Sequence, residues 1–195
     1  SGNASAVVNA VGSDTVIFLP DEYLARNTAK ETGKHIIFPS KNPVDIKKQE
    51  NGELDYQMIG WQGKCEVHEQ FTVEDIENIR KQFPDVVVLA HPECSPEVCE
   101  ASDFSGSTSA MVKYVKEANA QRYLLMTECS MGDNIAAENP TKEMLRLCSI
   151  RCPHMNEITL EMTRDALEKT QYVIEVPEDI RVKAKKAVDR MISIG

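Results

Sequence analysis

Four short clusters in this sequence combine residue types that do chemistry. Cys65-Glu66-Val67-His68, preceded by Trp61-Gln62-Gly63, sets a thiolate and an imidazole three residues apart. Such a pair can share a metal or a substrate, and it also occurs for purely structural reasons. His91-Pro92-Glu93-Cys94 offers an imidazole that changes charge near neutrality and a carboxylate able to act as acid, base or ligand. Its bland alternative is a capped turn, with Pro92 removing a backbone donor and holding the bend. Ser105-Gly106-Ser107-Thr108-Ser109 runs into a helical pattern, where hydroxyls and free N–H groups suit a phosphate or carboxylate, or simply cap the helix. Cys148-Ser149-Ile150-Arg151-Cys152-Pro153 places two cysteines four apart, the second before a proline. Cys-Pro occurs at iron–sulfur ligands, and a reversible disulfide between Cys148 and Cys152 is the alternative.

Cys94, Cys99 and Cys129 complete the six cysteines and fit the ordinary role of small buried residues. The chain is 195 residues long, 42% hydrophobic and without a secretion signal, so it has no need of disulfide staples. Reduced thiols in a cytoplasmic setting are expected. The net charge of −9 argues against nucleic acid, which demands a basic face. No apolar run nears the ~20 residues of a membrane span. The chain opens on SGNASAVVNAV without an initiator Met, which is the expected look of a piece of something longer.

Strands and helices must alternate to position these clusters. Thr15–Leu19, His35–Phe38, Val86–Ala90, Tyr123–Met126 and Val173–Glu175 read as strands. Helices are expected over Glu22–Thr32, Val73–Phe83 with Thr72 as N-cap, Ser107–Ala118, a stretch near Thr141–Cys148, Leu160–Thr170 and Glu178–Ile194. Pro39–Tyr56 reads as a loop or insertion. This pattern predicts an α/β fold of repeated three-layer α/β/α domains with short parallel sheets. The expected boundary lies near residue 100, giving domains 1–100 and 101–195. Ligands sit beyond the carboxyl ends of parallel strands, and His91 to Cys94, Thr127 to Cys129, and Pro20-Asp21 all follow strand ends.

Taken in order, Ser1-Gly-Asn-Ala4, Phe18-Leu-Pro-Asp21, Trp61-x-Gly-x-Cys-Glu-Val-His-Glu69, His91-Pro-Glu-Cys94, Gly106-Ser-Thr108, Thr127-Glu128 and Cys152-Pro-x-Met155 resemble quinolinate synthase. That family is the iron–sulfur enzyme of de novo NAD biosynthesis. The resemblance implies three similar α/β/α domains around a pseudo-threefold axis, with a [4Fe–4S] cluster between them. One cysteine from each domain binds it, and the fourth iron stays open to substrate. Cys65 and Cys152 would be two of the three ligands. The third lies in a Gly-Cys segment upstream of the Ser-Gly-Asn motif, so the chain looks like the second domain, without its beginning, and the third. The stretch around Pro39–Tyr56 is longer than in the shortest family members.

The implied reaction condenses iminoaspartate with dihydroxyacetone phosphate. Glu93 and His91 would move protons, and His68 would bind a substrate carboxylate or carbonyl. Ser1, Ser107 and Thr108 would hold phosphate or carboxylate groups. The implied partners are these small molecules, the missing N-terminal domain, a second copy in a homodimer and an upstream L-aspartate oxidase. Two rival readings are a non-catalytic remnant of the fold, and a zinc protein using Cys65, His68 and Cys152.

Overall fold

The computed structural model describes residues 2–40, 43–44, 48, 52, 55–147 and 150–194. Ser1, Cys148, the proposed Cys148–Cys152 cross-link and much of the 39–56 stretch lie outside these. The chain divides into two compact units, residues 1–150 and 151–195.

The first unit alternates helices with short strands. Its elements in order are α1 (Ala4–Ala10), β1 (Val16–Phe18), α2 (Glu22–Thr32), β2 (Ile36–Ile37), β3 (Met58–Gly60), α3 (Val73–Gln82), β4 (Val87–Ala90), α4 (Pro96–Ala101), β5 (Phe104–Ser105), α5 (Thr108–Glu117), β6 (Arg122–Met126), α6 (Cys129–Glu138) and β7 (Glu143–Arg146). Two all-parallel sheets result, ordered β1-β3-β2 and β5-β4-β6-β7. Strands buried on both faces read as continuous apolar runs, and β6 shows it: Tyr123, Leu124, Leu125 and Met126 are all buried. The larger core joins Leu89, Tyr123, Leu125 and Met144 from the sheet to Met111, Val115 and Ile135 from α5 and α6. A smaller one gathers Val8, Ala29 and Met58.

Local chemistry sets the helix ends. Asp21 caps α2 by accepting from the Leu24 N–H at 2.7 Å. Gly33 ends that helix in the left-handed region, at φ 67°. Thr72 and Asp75 form a reciprocal capping box on α3. Ser95 caps α4 ahead of Pro96, and Ser107 caps α5.

Two expectations differ from the structure. The stretch near Thr141–Cys148 forms strand β7, not a helix, over its described part. Glu, Met, Leu and Arg favour helices, but the segment is short and follows Asn139-Pro140, and pairing with β6 wins: Tyr123 faces Met144 and Leu124 faces Leu145. Val173–Glu175 forms no strand; Val173 and Ile174 are exposed and have no β partner among the described residues. The expected domains 1–100 and 101–195 stay a proposal; residue 100 lies between β4 and β6, which are hydrogen-bonded neighbours in one sheet. The second unit holds a short 3-10 turn at Met155–Glu157, α7 (Leu160–Lys169) and α8 (Glu178–Ile194). No described helix is long and apolar enough to cross a membrane.

Candidate active site and metal-binding group

The carboxyl ends of β1, β3, β4 and β6 feed the loops that carry the site. After β4 the chain enters His91-Pro92-Glu93-Cys94, where the Cys94 N–H donates to the His91 carbonyl at 2.9 Å and closes a tight turn. After β3 it runs through Trp61 to Cys65 and a 3-10 turn bearing His68. This second loop lies against the residues following β1. The Glu22 N–H donates to the Gly63 carbonyl at 2.7 Å, and the Cys65 N–H donates to Asp21 Oδ2 at 2.9 Å. Gly63 allows the approach, since a Cβ there would stand 2.5 Å from the Pro20 carbonyl oxygen.

The side chains of the two loops meet. His68 Nδ1 lies 3.1 Å from Cys65 Sγ and 3.3 Å from Glu93 Oε2, while Nε2 sits 3.0 Å from the Thr127 hydroxyl. The His68 ring stacks on the His91 ring, with centroids 4.4 Å apart. The Glu93 N–H donates to His91 Nδ1 at 3.3 Å. Ligand atoms of Cys65, His68 and Glu93 all lie within 4.8 Å of one another, so this trio could hold a metal ion. Cys65 and Glu93, with Asp21, Trp61 and Gly63, border a cavity of about 240 Å³.

Burial and charge set the protonation states. The His68 side chain holds Glu93 below the usual carboxylate range, against the opposing effect of burial. Burial, aided by the neighbouring His68, lowers His91 to about 4. His91 is therefore neutral at pH 7. Its Nδ1 is engaged as an acceptor, which leaves the ring proton on Nε2. Burial also pushes the Cys65 thiol up, so a bound metal is what would draw off its proton.

The structure thus unites Cys65, His68, His91 and Glu93. Ser107 and Thr108 open α5 near the same rim, because the Gly106 N–H donates to the carbonyl of Ala90, the last residue of β4. Gly2 lies against Ser107: a Cβ on it would stand 3.4 Å from the Ser107 side chain. Cys152 belongs to the second unit, where it is half-buried and its carbonyl accepts from the Asn156 N–H and carboxamide. The remaining described cysteines are tied to backbone. Cys94 Sγ donates to the Met126 carbonyl, Cys99 Sγ approaches the His91 and Cys94 carbonyls, and Cys129 Sγ donates to the Leu147 carbonyl. Asp21 and Thr127 were missing from the expected site. Their positions after β1 and β6 were the available signal.

Comparison with known proteins gives the family. The family model described as "Quinolinate synthetase A protein" matches residues 1–193. The chain is 44% identical over 194 residues to quinolinate synthase 2 of Mesorhizobium japonicum, covering all of this chain and 53% of that protein. It is 45% identical to the quinolinate synthase of Agrobacterium fabrum, of which it covers 50%, and 41% identical to that of Caulobacter vibrioides, of which it covers 48%. The chain spans about half the length of the curated relatives it matches. With a match along almost its whole length, this chain belongs to the quinolinate synthase family.

Proposed function

We propose that this chain forms part of a quinolinate synthase, which condenses iminoaspartate with dihydroxyacetone phosphate in NAD biosynthesis. The observation that carries this reading is the meeting of Cys65, His68, His91 and Glu93 at the carboxyl ends of parallel strands. The proposed cofactor is a [4Fe–4S] cluster, with Cys65 and Cys152 among its ligands. The donor chemistry fits: Cys65 borders a cavity beside Glu93, and a thiolate is the ligand such clusters take. When bound, a cluster with an open iron supplies a Lewis acid for a substrate carboxylate or hydroxyl.

The chain's own residues then have separable tasks. Glu93, kept ionised beside His68, accepts a proton from substrate carbon or nitrogen during condensation and dehydration. His91, neutral and protonated on Nε2, donates a hydrogen bond to a substrate oxygen. His68, oriented by Thr127 and set beside Glu93, binds a substrate carboxylate or carbonyl. Ser107 and Thr108, with Ser1, bind phosphate or carboxylate at the start of α5. The proposed setting is the cytoplasm, with a homodimer as the assembly.

Cys65, His68 and Glu93 are also a competent zinc donor set, and one experiment separates the two metals. Anaerobic purification of the full-length protein is expected to give a brown, iron- and sulfide-containing enzyme that makes quinolinate. Cys65→Ser and Cys152→Ser should each abolish the cluster, and Cys99→Ser should leave it intact. A colourless protein with stoichiometric zinc would overturn the cluster assignment. Equal cluster loss in all three variants would overturn the choice of ligands.

A further inference from the structure

We propose that Asn27 is a positioning residue, whose carboxamide clamps the turn carrying His91 and Glu93 and so sets the geometry of both. The inference deepens the functional reading above and rests on it for the reaction, though not for the clamp itself.

Asn27 projects from α2, a helix of the other sheet's layer. Its Nδ2 donates to the Pro92 carbonyl at 2.8 Å and the Cys94 carbonyl at 3.0 Å, and lies 3.4 Å from Cys99 Sγ. Two of the three partners are carbonyls, which only accept, so the amide must present its nitrogen to them. These are long-range bonds, spanning 65 and 67 residues.

The Pro92 carbonyl belongs to the same peptide plane as the Glu93 N–H. That N–H donates to His91 Nδ1. One rigid plane is therefore held at its oxygen by Asn27 and at its nitrogen by the His91 ring. Fixing the plane fixes the origin of the Glu93 side chain. It also keeps His91 Nδ1 occupied as an acceptor, which leaves the ring proton on Nε2. A cavity of about 410 Å³, lined by Pro92 of the turn, Cys99 of α4 and Asn27, borders this clamp.

The same helix controls the other half of the site. Asp21, its N-cap, accepts from the Cys65 N–H. Asp21 and Asn27 are six residues apart, about 9 Å along a helix axis. α2 therefore works as a spacer between the backbone of Cys65 and that of Glu93, whose side chains converge with His68.

The test compares Asn27→Ala and Asn27→Asp in the full-length enzyme. Aspartate has the shape of asparagine and turns an acceptor toward two carbonyl oxygens. A donor role predicts that both variants lose kcat by roughly 10- to 100-fold, with Asp at least as impaired as Ala. Substrate KM and iron content should stay near those of the unsubstituted enzyme. The second readout is amide hydrogen exchange over residues 89–95 in the cluster-free full-length protein, which both variants should accelerate. Wild-type kcat in Asn27→Asp would overturn the proposal, since shape alone would then suffice. Unchanged exchange in both variants would overturn it as well. So would activity falling only in proportion to iron content, which marks a general folding role. If the unsubstituted enzyme makes no quinolinate, the functional reading fails, and the exchange measurement alone decides the clamp.

Discussion

At the scale of single residues, Glu93 and His91 have different jobs because their surroundings push them to different charges. Glu93→Gln keeps the side-chain shape and removes the proton acceptor that faces His68. It is expected to lower kcat by about 10²- to 10⁴-fold with cluster content intact, as measured by steady-state assay and iron analysis. His91 gives a prediction about pH. Its folded value, about 4, lies below the ordinary 6.5. Between those values the unfolded chain binds a proton that the folded chain refuses, so acid favours unfolding. Stability therefore falls as pH drops from about 6.5 to about 4. His91→Gln should flatten that part of the profile in the cluster-free protein, read by denaturant unfolding at a series of pH values. An equally steep profile would remove His91 as the cause. C-x-x-H and H-P-E-C were legible in the sequence because their residue types are themselves reactive. Asp21 and Thr127 were legible only as strand-end positions and Asn27 not at all, because each acts through a fold contact 44 or more residues away.

At the scale of elements, the site depends on two loops pressed together, and the β1–α2 junction is the press. Gly63→Ala would drive a methyl group into the Pro20 carbonyl, a backbone atom that cannot rotate aside. The loop must then lift, pulling Cys65 away from Asp21. Loss of cluster binding is expected, with a stability loss of about 1–3 kcal/mol typical of overpacking. A variant with full iron content and unchanged melting midpoint would contradict that account. Thr72→Ala serves as the comparison, because its capping box on α3 makes none of the site's contacts. It should cost about 1 kcal/mol and leave the cluster intact. Helices with clear caps, such as α2 and α3, could be read almost to the residue. β7 could not, since its helix-favouring residues become a strand only through pairing with β6. α1, β3, β5 and the helices after His91 and Thr127 were too short or too small-residue-rich to announce themselves. Periodicity needs length, and these segments run from two to ten residues.

At the scale of the whole molecule, the α/β alternation was legible in the sequence. Sheet partners are chosen in three dimensions, and β4 finds β6 across the expected boundary. The compact units divide at 150/151, which places Cys65 in one unit and Cys152 in the other. On the proposed ligand set, Cys152 is held in place whenever the cluster is bound. Neither α7 nor α8 contains a buried residue, so among the described residues these helices are open to a protease. Limited proteolysis of the full-length protein therefore has a clear expected course. The cluster-bound enzyme should resist cleavage around 150/151 and within 151–195. Removing the cluster, or making Cys152→Ser, should expose these segments while residues 55–147 stay protected by their two sheets. Cleavage at equal rates with and without the cluster would count against Cys152 as a cluster ligand.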